Sequence, residues 1–254
     1  MLKKNNFFLA LICAVGFISQ LSISMYTPAL PEIINSLSIS RSQSQMVMTY
    51  YLIGYALFQL VFGGLSDKFG RRRCFILGCC MAFVGTLMMM SYSILLINIG
   101  RFIQGGGFGV AGVISKAALR DRYVGPEYAK KISYLLMIIF IAPALSPMLG
   151  SFIASEYGWE AIFAFLFLFI FFLFILVLFF YPETNTKPNK NLKNTLSMLK
   201  NILQQNPSFW LYSIVSGLVY AADICFDLTG ALDRSGDLEQ KLGKIRAIPI
   251  LLVY

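Results

Sequence analysis

Side chains suited to binding recur with helical spacing in two segments of this sequence. Polar and aromatic residues stand three or four positions apart at Tyr51, Tyr55 and Gln59, and again at Arg101, Gln104 and Phe108. This spacing places each set on one face of a helix. Tyrosine offers apolar area, a hydroxyl group and a ring face that attracts cations, which suits lipophilic or cationic ligands. Tyr26 adds a further polar tip, and ordinary helix packing is the alternative role for all of these residues.

Arg101 is the only charged residue between Arg73 and Lys116, inside an otherwise apolar stretch. A guanidinium at such a position is costly unless it is paired or hydrated, so we interpret Arg101 as functional. The alternative is a structural arginine whose head reaches the outer lipid headgroups. The glycine-rich run over 105–112 predicts a close-packing helix face and not a loop that binds phosphate.

Other chemistry is not indicated. The sequence has no histidine to act as a base or ligand, and its five cysteines lack the spacing of a metal site. We therefore expect no enzyme activity, no metal and no cofactor. The net charge of +9 does not indicate a nucleic acid partner, because the basic residues form short clusters between apolar runs instead of one soluble face.

The elements that must position these side chains are predicted to be helices that span a lipid bilayer. Apolar residues make up 57% of the chain and charged residues 13%, against about 25% charged in soluble domains. Stretches nearly free of charge provide six runs of the roughly 20 residues that a span needs, and a turn near 91–93 separates the third from the fourth. We predict an all-α, six-helix transmembrane bundle over residues 1–181.

The distribution of charge predicts the orientation of the bundle and the character of the remaining chain. Lysine and arginine concentrate at the N-terminus, in the second and fourth loops and in the loop over 182–207, so these parts should be cytoplasmic. A seventh apolar run over 208–222 is shorter than the roughly 17 residues of a span, which predicts a partial helix. The acid-rich residues 223–254 predict a divergent, disordered tail from a shifted frame or a truncated gene. The alternative is a proton relay through Asp223 and Asp227.

The loop between the second and third predicted helices carries the most specific motif. It reads GGLSDKFGRRR from residue 63, and its pattern rests on Gly63, Asp67, Lys68, Gly70, Arg72 and Arg73. The glycines permit a tight reversal and a close approach of helices. We expect Asp67 to accept backbone N–H groups at the start of the third helix, where the helix dipole favours an anion. The arginines should anchor the turn at the lipid headgroups.

Three further motifs lie within predicted helices. The fifth helix contains Pro143, Pro147 and Gly150, and each proline should free a backbone carbonyl and bend the helix. Residues 101–105 read RFIQG in the fourth helix, and residues 24–32 read SMYTPALPE at the end of the first.

Together these motifs resemble those of the major facilitator superfamily and, within it, the Bcr/CflA drug-resistance branch of EmrD-like multidrug efflux transporters. The resemblance covers about residues 7–220. It implies efflux of lipophilic or cationic drugs across the bacterial inner membrane by proton antiport, through two six-helix halves that rock about a central site. The chain would be the N-terminal half. Its cavity wall would include Tyr26, Tyr51, Tyr55, Gln59, Arg101, Gln104 and Phe108.

The same resemblance indicates what the chain lacks. Many members of this branch carry an aspartate directly before the Met-Tyr pair, where this sequence has Ser24. The acidic residues up to position 220 all lie at or beyond predicted helix ends. The proton-carrying carboxylate and the second wall would therefore come from a C-terminal half chain or a second copy. The alternatives are a membrane fragment that does not transport and a half-size transporter that acts as a homodimer.

Overall fold

The computed structural model describes residues 2–185 and a few positions between 210 and 222. The positions described between 210 and 222 are helical. The rest of the predicted partial seventh helix, the charged tail and nearly all of the central loop lie outside the described residues. The described helices are α1 (Leu2–Ser24), α2 (Leu30–Leu37), α3 (Arg41–Phe69), α4 (Arg71–Met89), α5 (Ile94–Arg122), α6 (Gly125–Tyr157) and α7 (Trp159–Phe180).

Six segments of the described chain are long and apolar enough to cross a bilayer, which confirms the predicted bundle. The first is formed by α1 and α2, and α3 to α7 provide one each. A short 3-10 turn at Thr27–Ala29 joins α1 to α2, where Pro28 and Pro31 remove backbone N–H donors. The reversal between the third and fourth spans lies at residues 90–93, as the sequence predicts.

The fourth span, α5, lies between α3 and α4 and contacts both. Glycine permits this approach on two faces of α5. A Cβ atom at Gly105 would overlap the backbone oxygen of Tyr51 in α3, and one at Gly107 would overlap that of Gly78 in α4. The glycine-rich run is therefore the close-packing surface that the sequence predicts. It brings polar side chains of neighbouring helices within hydrogen-bonding distance.

The fifth span packs against the first. Pro143 and Pro147 lie half-buried inside α6, which is assigned as helix without interruption. Ser146 lies between them, and its hydroxyl donates a 2.9 Å hydrogen bond to the backbone oxygen of Leu21. A Cβ atom at Gly150 would overlap the backbone oxygen of Met25, so this glycine allows α6 to touch the end of α1.

Candidate functional site

A buried arginine lies at the centre of the described bundle. The side chain of Arg101 is fully buried, and its Nη1 donates to the backbone oxygen of Ser22 at 2.7 Å and to Oε1 of Gln104 at 3.2 Å. Gln104 donates from Nε2 to the hydroxyl of Thr86 at 2.7 Å. These contacts join α1, α5 and α4. Arg101, Gln104, Thr86 and Tyr26 are together called the arginine cluster below.

Aromatic rings surround the guanidinium of Arg101. Its central carbon lies 4.1 Å from the ring centre of Tyr26, 5.8 Å from that of Tyr51 and 5.9 Å from that of Phe163. Within the described chain no carboxylate pairs with Arg101, and its Nε and Nη2 have no hydrogen-bond partner. Ring faces, a carbonyl and an amide therefore compensate the charge. The alternative in which Arg101 reaches the lipid headgroups is wrong, because neighbouring helices enclose the side chain.

A cavity of about 200 Å³ lies between α1, α3, α5 and α6. Its lining includes Ser19, Gln20, Tyr55, Phe108, Lys116 and Phe140. The wall is therefore mainly aromatic and aliphatic, with a few polar tips. This is the composition of a site that takes a lipophilic molecule and orients it through a small number of polar contacts.

The structure divides the predicted substrate-binding residues between these two places. Tyr55 and Phe108 line the cavity, whereas Tyr26, Arg101 and Gln104 belong to the buried arginine cluster. Tyr51 connects the two.

The hydroxyl of Tyr51 donates to the backbone oxygen of Ser19 at 3.2 Å, and its ring stacks on that of Tyr55 at 6.3 Å. Gln59 is half-buried on α3 and lines neither the cavity nor the cluster. The predicted rows of residues are thus real helix faces, but each face serves two environments.

A second charged cluster lies at one end of the bundle. This end carries residues 67–73 and 120–131 and is called the basic end. The side chain of Arg71 is 5% exposed there. Its Nη2 lies 2.5 Å from the carboxylate of Asp67, its Nε lies 2.9 Å from that of Asp121, and its Nη1 donates to the hydroxyl of Ser66. The guanidinium therefore ties the reversal between α3 and α4 to the end of α5.

The carboxylate that accepts the first backbone N–H groups of α4 is Glu183. It accepts from Arg71 at 2.9 Å and from Arg72 at 3.1 Å. The prediction that Asp67 has this role is wrong. Helix α3 continues to Phe69, so Asp67 lies in the last turn before the reversal and pairs with the side chain of Arg71 instead.

The remaining loop residues have separate roles. Gly70 forms the reversal with φ of +95°, a backbone conformation that favours glycine, while Gly63 lies inside α3. Arg72 donates from Nη2 to the backbone oxygen of Leu178 at 3.0 Å. Lys68 and Arg73 are exposed, as expected for side chains that anchor a loop at headgroups.

An aromatic stack supports the basic end. The rings of Phe75 and Tyr181 lie parallel with centres 4.2 Å apart, and the ring of Phe8 lies 5.6 Å from that of Tyr181. Burial raises the pKa of the Tyr181 hydroxyl, so this group stays neutral. The stack links α1, α4 and the segment after α7.

Comparison with known families identifies this architecture. Residues 12–232 match the family described as Major Facilitator Superfamily. The chain belongs to the major facilitator superfamily. The matched region continues past residue 223, where we expected the divergent tail to begin, and the divergent tail stays a prediction.

Several relatives within the superfamily are named as drug-resistance proteins. The chain is 30% identical over 246 residues to a bicyclomycin resistance protein homolog of Haemophilus influenzae, covering 93% of this chain and 59% of the relative. It is 32% identical to a chloramphenicol resistance protein of Pseudomonas aeruginosa, covering 84% and 49%. It is 31% identical to multidrug resistance protein D of Escherichia coli, covering 69% and 44%. These similarities confirm the resemblance to the Bcr/CflA branch.

The chain spans about half the length of the curated relatives it matches. Among solved structures, the human organic anion transporter MFSD10 (TETRAN) aligns with a TM-score of 0.52 at 19% identity. This alignment covers 73% of the chain and 49% of that transporter. At this identity the similarity shows the fold alone.

Two residues of this major facilitator chain belong to the candidate sites although the sequence did not single them out. Glu183 and the N–H of Arg71 that it accepts are more than a hundred positions apart, so no local pattern signals their contact. Lys116 lines the cavity, yet by sequence it reads only as one more basic residue near the end of a helix. Its place on the wall follows from how α5 is rotated against α1 and α6.

Proposed function

We propose that the protein takes part in proton-coupled efflux of lipophilic drugs across the bacterial inner membrane. The observation that carries this proposal is the cavity between α1, α3, α5 and α6, whose apolar wall and few polar tips suit a lipophilic solute. The relatives named for resistance to bicyclomycin, chloramphenicol and multiple drugs support it. No covalent chemistry is required, since the solute is only bound and released.

The basic end is proposed to face the cytoplasm. It carries residues 67–73 and 120–131, where most of the loop lysines and arginines of the described chain lie, and such loops remain on the cytoplasmic side. The N-terminus would then be cytoplasmic as well. The cavity approaches this end, because Lys116 lies six residues before the end of α5 and Leu135 lies in the first half of α6.

The two clusters have distinct parts in this proposal. The arginine cluster joins α1, α4 and α5 in the interior, and the Arg71 contacts join α3, α4 and α5 at the basic end. The spans that these contacts join are therefore proposed to move as one body while access alternates. This is the behaviour expected when one half of a transporter rocks against another.

A second six-helix unit is proposed to complete the transporter. The described chain supplies one cavity wall, and its acidic residues lie in or beyond the terminal turns of the helices. The opposing wall and a proton-carrying carboxylate would come from the second unit. That unit is either a separate C-terminal half chain or a second copy of this chain.

The proposal is tested in an efflux-deficient bacterium that produces this chain, the complementary half of a drug-resistance relative, or both. We expect uncoupler-sensitive resistance to chloramphenicol only when both are present. Resistance from this chain alone would assign the second-copy arrangement, which crosslinking between copies would then have to show. Absence of resistance in every strain, with both chains present in the membrane fraction, would leave only a fragment that does not transport.

A further inference from the structure

The charge of the cavity wall is positive. Lys116 lines the cavity and is exposed, and it forms no ion pair with any described residue. No aspartate or glutamate of the described chain lines the same cavity. Lys116 lies about 9 Å before the end of α5, by a rise of 1.5 Å per residue. At this depth a long lysine side chain can keep its ammonium group hydrated through the cavity.

Two of the three tyrosine rings that the sequence offers to a cationic ligand, those of Tyr26 and Tyr51, are already occupied. The guanidinium of Arg101 lies over the ring of Tyr26 at 4.1 Å and near that of Tyr51 at 5.8 Å. The cation that these rings attract is therefore the protein's own. On the wall that this chain provides, a cationic drug would meet neither of these two ring faces nor a carboxylate, and it would be repelled by Lys116.

Two residues that carry hydrogen-bond donors, Tyr55 and Lys116, line the cavity. A Cβ atom at Gly112 would lie 3.1 Å from the hydroxyl oxygen of Tyr55, so this hydroxyl lies against α5 one helical turn before Lys116. Tyr55 and Lys116 thus line the same space. Phe108 and Phe140 provide apolar wall beside them.

We propose that this cavity selects amphiphilic organic anions, with the anionic group at Lys116 and Tyr55 and the apolar part against Phe108 and Phe140. The inference rests on the proposed efflux function and names the substrate class of the same cavity. An anionic group of either a free compound or a lipid headgroup would satisfy the two donors, and we assign the site to the free compound.

The test uses the purified full chain in phosphatidylcholine nanodiscs with the uncharged probe N-phenyl-1-naphthylamine. Tetraphenylborate and tetraphenylphosphonium, which have matched size and opposite charge, then displace the probe, and discs without protein give the background. The variants are Lys116→Gln and Lys116→Arg. Lys130→Gln is the matched control, because Lys130 is exposed at the start of α6 and does not line the cavity.

We expect tetraphenylborate to displace the probe at lower concentration than tetraphenylphosphonium. Lys116→Gln should weaken the anion about fivefold, the upper range for a partly exposed ion pair, and leave the uncharged probe unaffected. Lys116→Arg and Lys130→Gln should retain the preference. Unchanged binding of the uncharged probe also shows that the Gln variant is folded.

Other results overturn the inference. Two results would refute anion selection while leaving the efflux proposal intact. One is equal or better displacement by tetraphenylphosphonium after correction for the partition of each ion into discs without protein. The other is an affinity for tetraphenylborate that Lys116→Gln leaves unchanged. If phosphatidylglycerol in the discs abolishes the difference between the natural chain and Lys116→Gln, the site belongs to lipid headgroups. If the uncharged probe does not bind above the background, the cavity is not a binding site, and the efflux proposal loses its main support.

Discussion

Replacement of Glu183 by glutamine tests the contribution of its charge to the start of α4, although the carboxylate also accepts the N–H groups of Thr184 and Asn185. The carboxylate accepts the N–H of Arg71 at 2.9 Å and that of Arg72 at 3.1 Å. A hydrogen bond to a charged group contributes about 1.5–3 kcal/mol and a neutral one about 1 kcal/mol, and an anion at a helix N-terminus adds roughly 0.3–1 kcal/mol. Because Glu183 is exposed, we take the lower part of these ranges. The variant should lose about 1–2 kcal/mol of unfolding free energy.

Two measurements on the purified chain in micelles check this value. Loss of helical circular dichroism with increasing dodecyl sulfate gives the unfolding free energy, and hydrogen exchange over residues 70–76 reports on the start of α4. The matched control is Glu156→Gln, an exposed glutamate near the C-terminal end of α6, where loss of a negative charge should be neutral or slightly stabilising. Equal effects of the two substitutions, with unchanged exchange over 70–76, would show that Glu183 does not cap α4.

Two further substitutions test the interior. Gly105→Ala would place a Cβ atom against the backbone oxygen of Tyr51, and we expect overpacking to cost about 2 kcal/mol of unfolding free energy. The control is Gly63→Ala, whose Cβ would lie 3.7 Å from its nearest neighbour. This variant should be neutral or stabilising. Similar stability of both variants would contradict the close packing of α3 and α5. Tyr26→Phe keeps the ring over Arg101 and removes a buried hydroxyl that has no hydrogen-bond partner, so the unfolding free energy should stay equal or rise. Tyr26→Leu removes the ring face and should lose about 2–4 kcal/mol of unfolding free energy. A larger loss from the phenylalanine variant than from the leucine variant, by the same denaturation assay, would show that the ring face is not what compensates the guanidinium.

The number and limits of the spans follow from the sequence because burial in lipid requires long apolar segments. The turn at 90–93 and the glycine-rich face of α5 are local signals of the same kind. The rotation of each helix is not local. Tyr51 and Tyr55 share a face of α3, yet the hydroxyl of Tyr51 is buried against Ser19 of α1, whereas Tyr55 lines the cavity.

The contact of Glu183 with α4 illustrates the other limit of sequence reasoning. Asp67 and Glu183 both lie near helix ends at the basic end, and either could accept the free N–H groups of a neighbouring helix. The choice depends on α3 continuing two residues beyond Asp67, and on α7 ending beside α4. Both are consequences of packing, so spacing within the loop motif predicts the reversal at Gly70 correctly and the partner of Asp67 incorrectly.

The distribution of polar contacts indicates where this bundle can change shape. Arg101 bridges α1 and α5, Gln104 extends the bridge to α4, and Arg71 joins the ends of α3 and α5. Internal rearrangement would leave these charges without compensation in a low-dielectric interior, which is strongly unfavourable. By contrast α3 and α6 are the least buried spans, with 22% and 17% of an apolar 18-residue stretch of each buried inside the bundle. In the proposed transporter, a second unit would therefore slide over the apolar outer faces of α3 and α6 without breaking a buried ionic contact.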